Sequence, residues 1–588
     1  MRSAADITAF ASVVGVGPDL IQIEVSSTEE YARSGAELEI GSYLKISDDN
    51  GSMLIAIVQS YRIRDYVAPF DTAELKTPRF LIDAQPVGRF DEGGFRRGGK
   101  QITIPPKHVE IAATDVLLQM YDSVAVESRF CFGSLAQDRE VRVAIDGDRF
   151  FGKHIGVVGS TGSGKSCTVA RILQEGISPS SSQADRGVLN NSHIVIFDLH
   201  GEYSAAFPSG RFIDVDTLQL PYWLMNSEEL EEMFVESNEE NSHNQISQFR
   251  QAVVENKRRH AGRSQSVSYD SPIFFSLLEV INYLTNLNSE VIGRESGEGV
   301  PKLDDGTLVH NRASRYFDHV LNFALSSQRA GSKATNGPFN GEFDRFLMRL
   351  QGRHGDSRLH FLLSPQKADG STHRTEDSLE LMRTLTGYGE ASSNITIIDL
   401  SGIPFEVLSV VVSLVTRLIF TFSFHLKRSK ATIEENIPFL LVYEEAHNYV
   451  PRSDGARYGS VKQSIERIAK EGRKYGVSMM IVSQRPSEIS ETVFSQCNNF
   501  VAMRLTNPSD QHYVKRLLPD NLGALTDGLP SLGRQEAILI GDSMSIPSLI
   551  YVDDVDEKPN SHDIRFHSEW QHDWREYDPA PIMERWQR

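Results

Sequence analysis

Cysteine is nearly absent from this chain. Three thiols, Cys131, Cys167 and Cys497, in 588 residues are too few and too scattered for a disulfide framework or a zinc site. They read as small buried hydrophobes in a reducing, cytoplasmic compartment. A surplus of basic charge is missing too: 60 Lys and Arg against 79 Asp and Glu leave a net charge of −19. That excludes a uniformly basic nucleic-acid binder but not a local basic channel, since phosphate contacts need only a few well-placed cations. The start "MRSAADITAF" has no apolar core behind basic residues, so no secretory signal is expected there. The longest apolar run, "FEVLSVVVSLVTRLIFTFSFHL" from Phe405 to Leu426, carries Glu406, Arg417, three serines and two threonines. Lying between two strand-like segments, it is expected as a helix buried in an α/β core, with no membrane involved. No internal repeat is evident.

What remains is ordinary globular material, 40% hydrophobic and 24% charged, long enough for roughly three to five domains. Residues 1–115 carry short strand signals punctuated by glycine ("ASVVGVG", "LIQIEV", "SYLKIS", "GSMLIAIVQSYRI", "RFLIDAQPVGRF"), which predict a small β-barrel. Residues 116–150 read as a linker. From 151 to 220, and again from 391 to 555, apolar strands alternate with helices ("HIGVVG", "HIVIFDL", "NITIIDL", "PFLLVY", "VSMMIVS", "NFVAMRL"), the pattern of a parallel α/β sheet. Residues 221–390 are polar and helix-like and read as a helical insertion. The last segment, 556–588, holds three of the four tryptophans, Trp570, Trp574 and Trp586. A solvated tail rarely concentrates aromatics, so this one is expected to dock against a neighbouring surface.

One stretch carries specific chemistry. In "HIGVVGSTGSGKS", an apolar run breaks into Gly159, Ser160, Thr161, Gly162, Ser163, Gly164, Lys165 and Ser166, with Cys167 opening the next helix. Gly, four residues, then Gly-Lys-Ser between a strand and a helix is the complete phosphate-binding loop. Glycines let backbone N–H groups close around the phosphates. Lys165 is placed for the β- and γ-phosphates and Ser166 for Mg2+. ATP and Mg2+ are the expected cofactors.

Hydrolysis further needs one carboxylate for the metal's water shell and one for the attacking water. Three apolar strands end in acid, at Asp198, Asp399 and Glu444-Glu445, and only the last gives two adjacent carboxylates. Glu444 is therefore assigned to the metal and Glu445 to the water. Asp198, with His200 and Glu202 in "DLHGEY", is expected to line the same crevice, while His200 and His447 read at least as well as structural hydrogen-bonders. Gln484, ending "IVSQ", is a neutral amide suited to sensing the γ-phosphate. The helix "SIERIAKEGRKYGV" presents Arg467, Lys470, Arg473 and Lys474, either a solvated face or a source of an arginine for a neighbouring subunit.

In this order, "GSTGSGKS", "DLHGEY", "LLVYEEAHNYVP", "EGRKYGV", "SQRPSEI" and "LTNPSD" resemble the HerA branch of the HerA/FtsK ATPases. The resemblance covers most of the chain, least distinctly residues 220–390 and the C-terminal tail. It implies a RecA-like P-loop core behind a small N-terminal barrel, assembly into a homo-hexamer, and an ATPase that translocates on or unwinds double-stranded DNA. It also implies a partner, either a NurA-like nuclease or an antiphage effector such as a sirtuin-like NAD hydrolase. By position, Lys165 and Ser166 would bind phosphate and Mg2+, Glu445 would be the base, Gln484 the sensor and Arg473 the trans-acting finger, with Arg467 as the alternative. Glu444 departs from the aspartate common in relatives, which alters reach more than role. Candidate DNA contacts are Lys257, Arg258, Arg259 and Arg263 in "NKRRHAGR", and Lys333. A second reading makes the chain an ATP-dependent assembly platform that regulates an effector with little translocation. The conjugative coupling ATPases fit less well for want of N-terminal membrane helices.

Overall fold

The computed structural model describes residues 11–17, 19–25, 38–47, 53–64, 79–91, 94–98, 108–178, 188–235, 242–261, 266–293, 299–327, 334–389, 392–429, 436–453, 459–517, 524–561 and 564–587. Its first seven strands are β1 (Ala11–Val16), β2 (Ile21–Val25), β3 (Tyr43–Ser47), β4 (Met53–Arg64), β5 (Arg79–Asp91), β6 (Gly94–Arg97) and β7 (His108–Ile111). They pair in the order β2-β1-β7-β3-β4-β5, and β2 pairs back onto β5, closing a six-stranded barrel with β6 as an added hairpin strand. The alternation seen in sequence drives this closure. Ile21, Ile23 and Val25, with Leu44, Ile46, Val109 and their neighbours, point inward to form a separate small core, and closure leaves those strands no free edge.

The main body is a ten-stranded sheet built from β8 (Gly133–Leu135), β9 (His154–Val158), β10 (His193–Asp198), β11 (Arg211–Ile213), β12 (Ile395–Asp399), β13 (Phe439–Tyr443), β14 (Val477–Ser483), β15 (Cys497–Ala502), β16 (Glu536–Gly541) and β17 (Ser548–Val552). Their order is β11-β12-β10-β13-β14-β9-β15-β16-β17-β8. The strands from β11 to β15 run parallel, and the last three join antiparallel. Every residue of β9, β13 and β14 is buried, as the unbroken apolar runs of a sheet covered on both faces require.

Helix α1 (Lys165–Ile177) follows β9; α2 (Ser227–Phe234), α3 (Ser242–His260), α4 (Leu277–Ser289) and α5 (Asp344–His354) fill the excursion between β11 and β12; α6 (Phe405–Arg428) and α7 (Gly459–Glu471) flank β13. The excursion is mainly helical but includes a three-stranded sheet of Val291–Gly293, Val300–Pro301 and Ala334–Asn336. It is tied to the body through Glu229. Its carboxylate, within the capping box of α2, accepts two bonds from Arg417 of α6 at 3.0 and 2.8 Å and one from Ser413 at 2.9 Å. Among the described residues α6 is the one helix long and apolar enough to cross a membrane, and here it is largely buried within the protein.

The stretch 116–150 is not the linker expected from sequence. It continues a helix, Thr114–Tyr121, then places β8 on the far edge of the sheet against β17. Arg142 clamps the same region to Asp553 with two bonds of 2.6 Å. The sheet's three-stranded antiparallel margin was also not anticipated.

Candidate functional site

The carboxyl ends of β9, β14 and β13 lie side by side, and ligands of open parallel sheets bind at that edge. From β9 the chain turns through Gly159–Gly164 into α1. Gly162 and Gly164 have φ of 74° and 101°, a region open to glycine at little cost. A Cβ on Gly159 would lie 2.6 Å from Ser163 Oγ and 2.9 Å from Met503 Cβ. Lys165 is buried at the N-terminus of α1 with its Nζ 3.5 Å from Ser160 O. Burial lowers its pKa, opposed by the charges of Glu445, Glu444 and Glu202. Ser166 and the half-buried Cys167 complete the first turn.

The acid pair leaves β13 through a strained residue. Glu445 has φ 46°, unusual for a non-glycine residue and characteristic of functional sites. The turn sends the two carboxylates different ways, which an ordinary strand would do only by placing one on each face. Glu445 Oε1 accepts from Gln484 Nε2 at 2.5 Å, and Gln484 Oε1 accepts from Thr161 Oγ1 at 2.5 Å. The sensor amide thus joins phosphate loop to base. It can do so because β14 lies between β13 and β9. His447 Nδ1 lies 3.4 Å from Glu445 Oε2 and 3.3 Å from Ser483 Oγ, and burial lowers its pKa, leaving a neutral supporting ring.

Glu444 turns toward Asp198 and Glu202. Burial first, then the charges of those two acids, raises its pKa well above the usual carboxylate range. Asp198 is wholly buried and occupied by backbone: Oδ1 accepts from His200 N (3.3 Å) and Glu202 N (3.1 Å), and Oδ2 from Tyr203 N (2.8 Å). Its part is to shape the "DLHGEY" loop. That loop in turn sets the Glu202 carboxyl against the Ser166 hydroxyl, making Glu202 a site residue the sequence reading had left as a neighbour.

The residues fit Mg2+. Glu202 Oε2 and Glu444 Oε2 are buried acceptors without a donor, and the Glu202 carboxyl stands by Ser166 in the first turn of α1. A hard divalent cation takes oxygen ligands and keeps several waters. Ser166 would bind it, and Glu444 and Glu202 would hold its water shell. When bound, the ion supplies neutralisation of charge on the phosphates.

The arginine candidates lie elsewhere. Arg473 donates to Asn498 Oδ1 at 2.6 Å and its charge bears on His154, the first residue of β9. It therefore sits at the opposite end of the strands from the phosphate loop, on the order of 15 Å away for a five-residue strand. Arg467 lies 4.7 Å over the ring of Phe420 and 3.9 Å from Glu471. Among the described residues of the basic patch, each of the three cations already has a partner. Lys257 is fully buried and donates to Tyr269 O and Ser271 O at 2.6 Å each. Arg258 pairs with Glu255, and Arg259 with Asp318. Lys257 is thus excluded as a DNA contact, and Arg258 and Arg259 each carry an acidic partner at the surface. Arg263 and Lys333 lie outside the described residues.

Phosphate loop, strained acid pair and amide bridge, on adjacent parallel strands, define a P-loop ATPase with a RecA-like core. Residues 130–334 match the family model described as the central domain of the helicase HerA. A probable helicase of Methanocaldococcus jannaschii, MJECL08, is 25% identical over 481 residues, 81% of this chain and 80% of its own length. The DNA double-strand break repair helicase HerA of Sulfolobus acidocaldarius is 35% identical over 179 residues, 30% of this chain and 35% of that protein. The solved structure of VirB4 of Thermoanaerobacter pseudethanolicus covers 74% of this chain and 98% of its own at 14% identity and a TM-score of 0.44. The motifs and the matched segment agree: this is a P-loop ATPase whose residues 130–334 are similar to the HerA central domain.

Proposed function

We propose that the protein is an ATP-hydrolysing ring motor that translocates on or unwinds double-stranded DNA. The observation that supports hydrolysis is the Thr161–Gln484–Glu445 chain, which holds the base where it meets an attacking water only when the phosphate loop is in register. Glu445 takes the proton from that water, Lys165 steadies the phosphates and Gln484 orients the base. Action on DNA is supported by the helicases to which the sequence is similar. Assembly as a homo-hexamer fits the placing of Arg473, which stands too far from its own crevice to act there and in this reading serves an adjacent subunit's.

In this reading the motor is cytoplasmic and works with an effector, a NurA-like nuclease or a sirtuin-like NAD hydrolase, in antiphage defence. A second reading, an ATP-dependent platform that regulates such an effector, is favoured by the absence of a free basic patch at Lys257–Arg259 and by the exposed aromatic tail. The test is ATP turnover with and without linear duplex. We expect DNA to stimulate it, and Glu445→Gln to retain ATP binding while slowing hydrolysis by about 10²- to 10⁴-fold. Wild-type turnover in Glu445→Gln would remove the base assignment. Turnover indifferent to DNA would favour the platform.

A further inference from the structure

We infer that Arg504 binds the phosphates of the nucleotide from the flank of the loop opposite Gln484 and Glu445. This rests on the reading of the site as an ATP site. Arg504 leaves β15, which borders β9 on one side as β14 does on the other. Its segment is stitched to the phosphate loop at three points: Met503 N donates to Val158 O (2.8 Å), Ser160 N to Arg504 O (2.7 Å), and Thr506 N to Ser160 Oγ (3.0 Å). The register of the side chain relative to the loop is therefore fixed. The guanidinium lies beside the loop's tip, where a Cβ on Gly162 would come within 4.0 Å of Nη2.

That guanidinium is idle. Its Nε is buried without a partner, and among the described residues no hydrogen bond, ion pair or ring contact engages it. Ser163 Oγ, in the same loop, is likewise buried and unpartnered. Unmet buried donors are costly and are seldom kept without a use. An unmet guanidinium beside a loop of backbone N–H groups calls for a polyanion, and its planar fork suits phosphate oxygens. Because Arg504 stands on the flank away from the attacking water, it grips the phosphates equally before and during reaction. Its loss is then a loss of uniform binding, raising KM and leaving kcat nearly unchanged.

The experiment compares wild type, Arg504→Ala, Arg504→Lys and Lys165→Ala by titration with a fluorescent ATP analogue and with AMP, by steady-state hydrolysis, and by thermal melting without nucleotide. Arg504→Ala should raise Kd and KM for ATP by about 10- to 100-fold, the worth of a charged hydrogen bond, with AMP affected less and kcat within a few-fold. Arg504→Lys should recover part of the loss, and melting without nucleotide should match wild type. Unchanged ATP affinity in Arg504→Ala, a fall in kcat at saturating ATP, or equal melting losses in both Arg504 variants would each overturn the inference. Failure of the wild type itself to bind ATP would instead overturn the ATPase reading.

Discussion

Lys257 shows how far a single charge can depart from its apparent purpose. In sequence it heads a basic run; in the structure its ammonium is sealed under Phe275, 5.6 Å from the ring, with two carbonyl oxygens for company. Burial lowers its pKa from 10.5 to about 8, with Asp270 opposing and Arg417 adding to the shift. Below pH 8 both folded and unfolded chains hold the proton. Between 8 and 10.5 the unfolded chain holds more, so stability rises with pH across that window. The full effect amounts to about 3 kcal/mol. Urea denaturation from pH 7.5 to 10.5 should therefore show a rising midpoint in wild type and a flatter one in Lys257→Met. Lys257→Glu should cost about 3–5 kcal/mol, as an unpaired buried charge does, and expose the excursion between β11 and β12 to protease. A variant that keeps its melting behaviour and loses only DNA binding would reverse this account and restore Lys257 to a nucleic-acid surface.

At the scale of elements, the order β13-β14-β9 does most of the work, because it alone brings base, sensor and phosphate loop to one edge. The same geometry strands Arg473 at the other end, and the consequence is testable by mixing. Arg473→Ala and Lys165→Ala should each be slow alone. Mixed rings should regain part of the activity, since some interfaces then join an intact loop to an intact arginine. Mixed rings confirmed by native mass spectrometry with no regain would assign Arg473 to holding Asn498 in its own subunit. The elements that carry the site were legible: strands buried on both faces read as apolar runs, and the phosphate loop and acid pair follow directly from them. Three-residue strands such as β8 and β11 were not, being too short to show a period. β16 and β17 are apolar enough, yet an antiparallel margin breaks the helix–strand alternation that guides such a reading. Arg258 and Arg259 misled because their partners lie in space as well as in sequence: Glu255 is three residues from Arg258, whereas Asp318 is 59 from Arg259. Arg504 was passed over because nothing in "RLTNPSD" announces an arginine without a partner.

The whole molecule is acidic, and its described C-terminal segment is rich in exposed aromatics. Net charge of −19 repels a polyanion beyond a Debye length of about 8 Å, so DNA binding should require the assembled ring and weaken steeply with salt. Trp570, Trp574 and Trp586 are 78%, 94% and 79% exposed, a concentration of aromatic surface that a solvated end does not need. It departs from the body at Asn560, whose N–H bonds Glu202 O at 2.8 Å. Ending the chain at Ser561 should leave ATP affinity within a few-fold of wild type. It should reduce the larger species in sedimentation velocity if the tail docks on a second copy, or reduce effector capture alone if it docks on the effector. The bond between Arg142 and Asp553 reaches across 411 residues of chain, and β8 waits on β17 in the same way. A polypeptide emerging from the ribosome must therefore complete its barrel and hold the nascent sheet open until nearly the last strand has left the exit tunnel. Contacts of that range are slow to form and leave apolar edges uncovered meanwhile. Prematurely ended translation products lacking β17 should accordingly leave β8 and β16 unpaired on that side and be more readily cleaved by protease than the full chain.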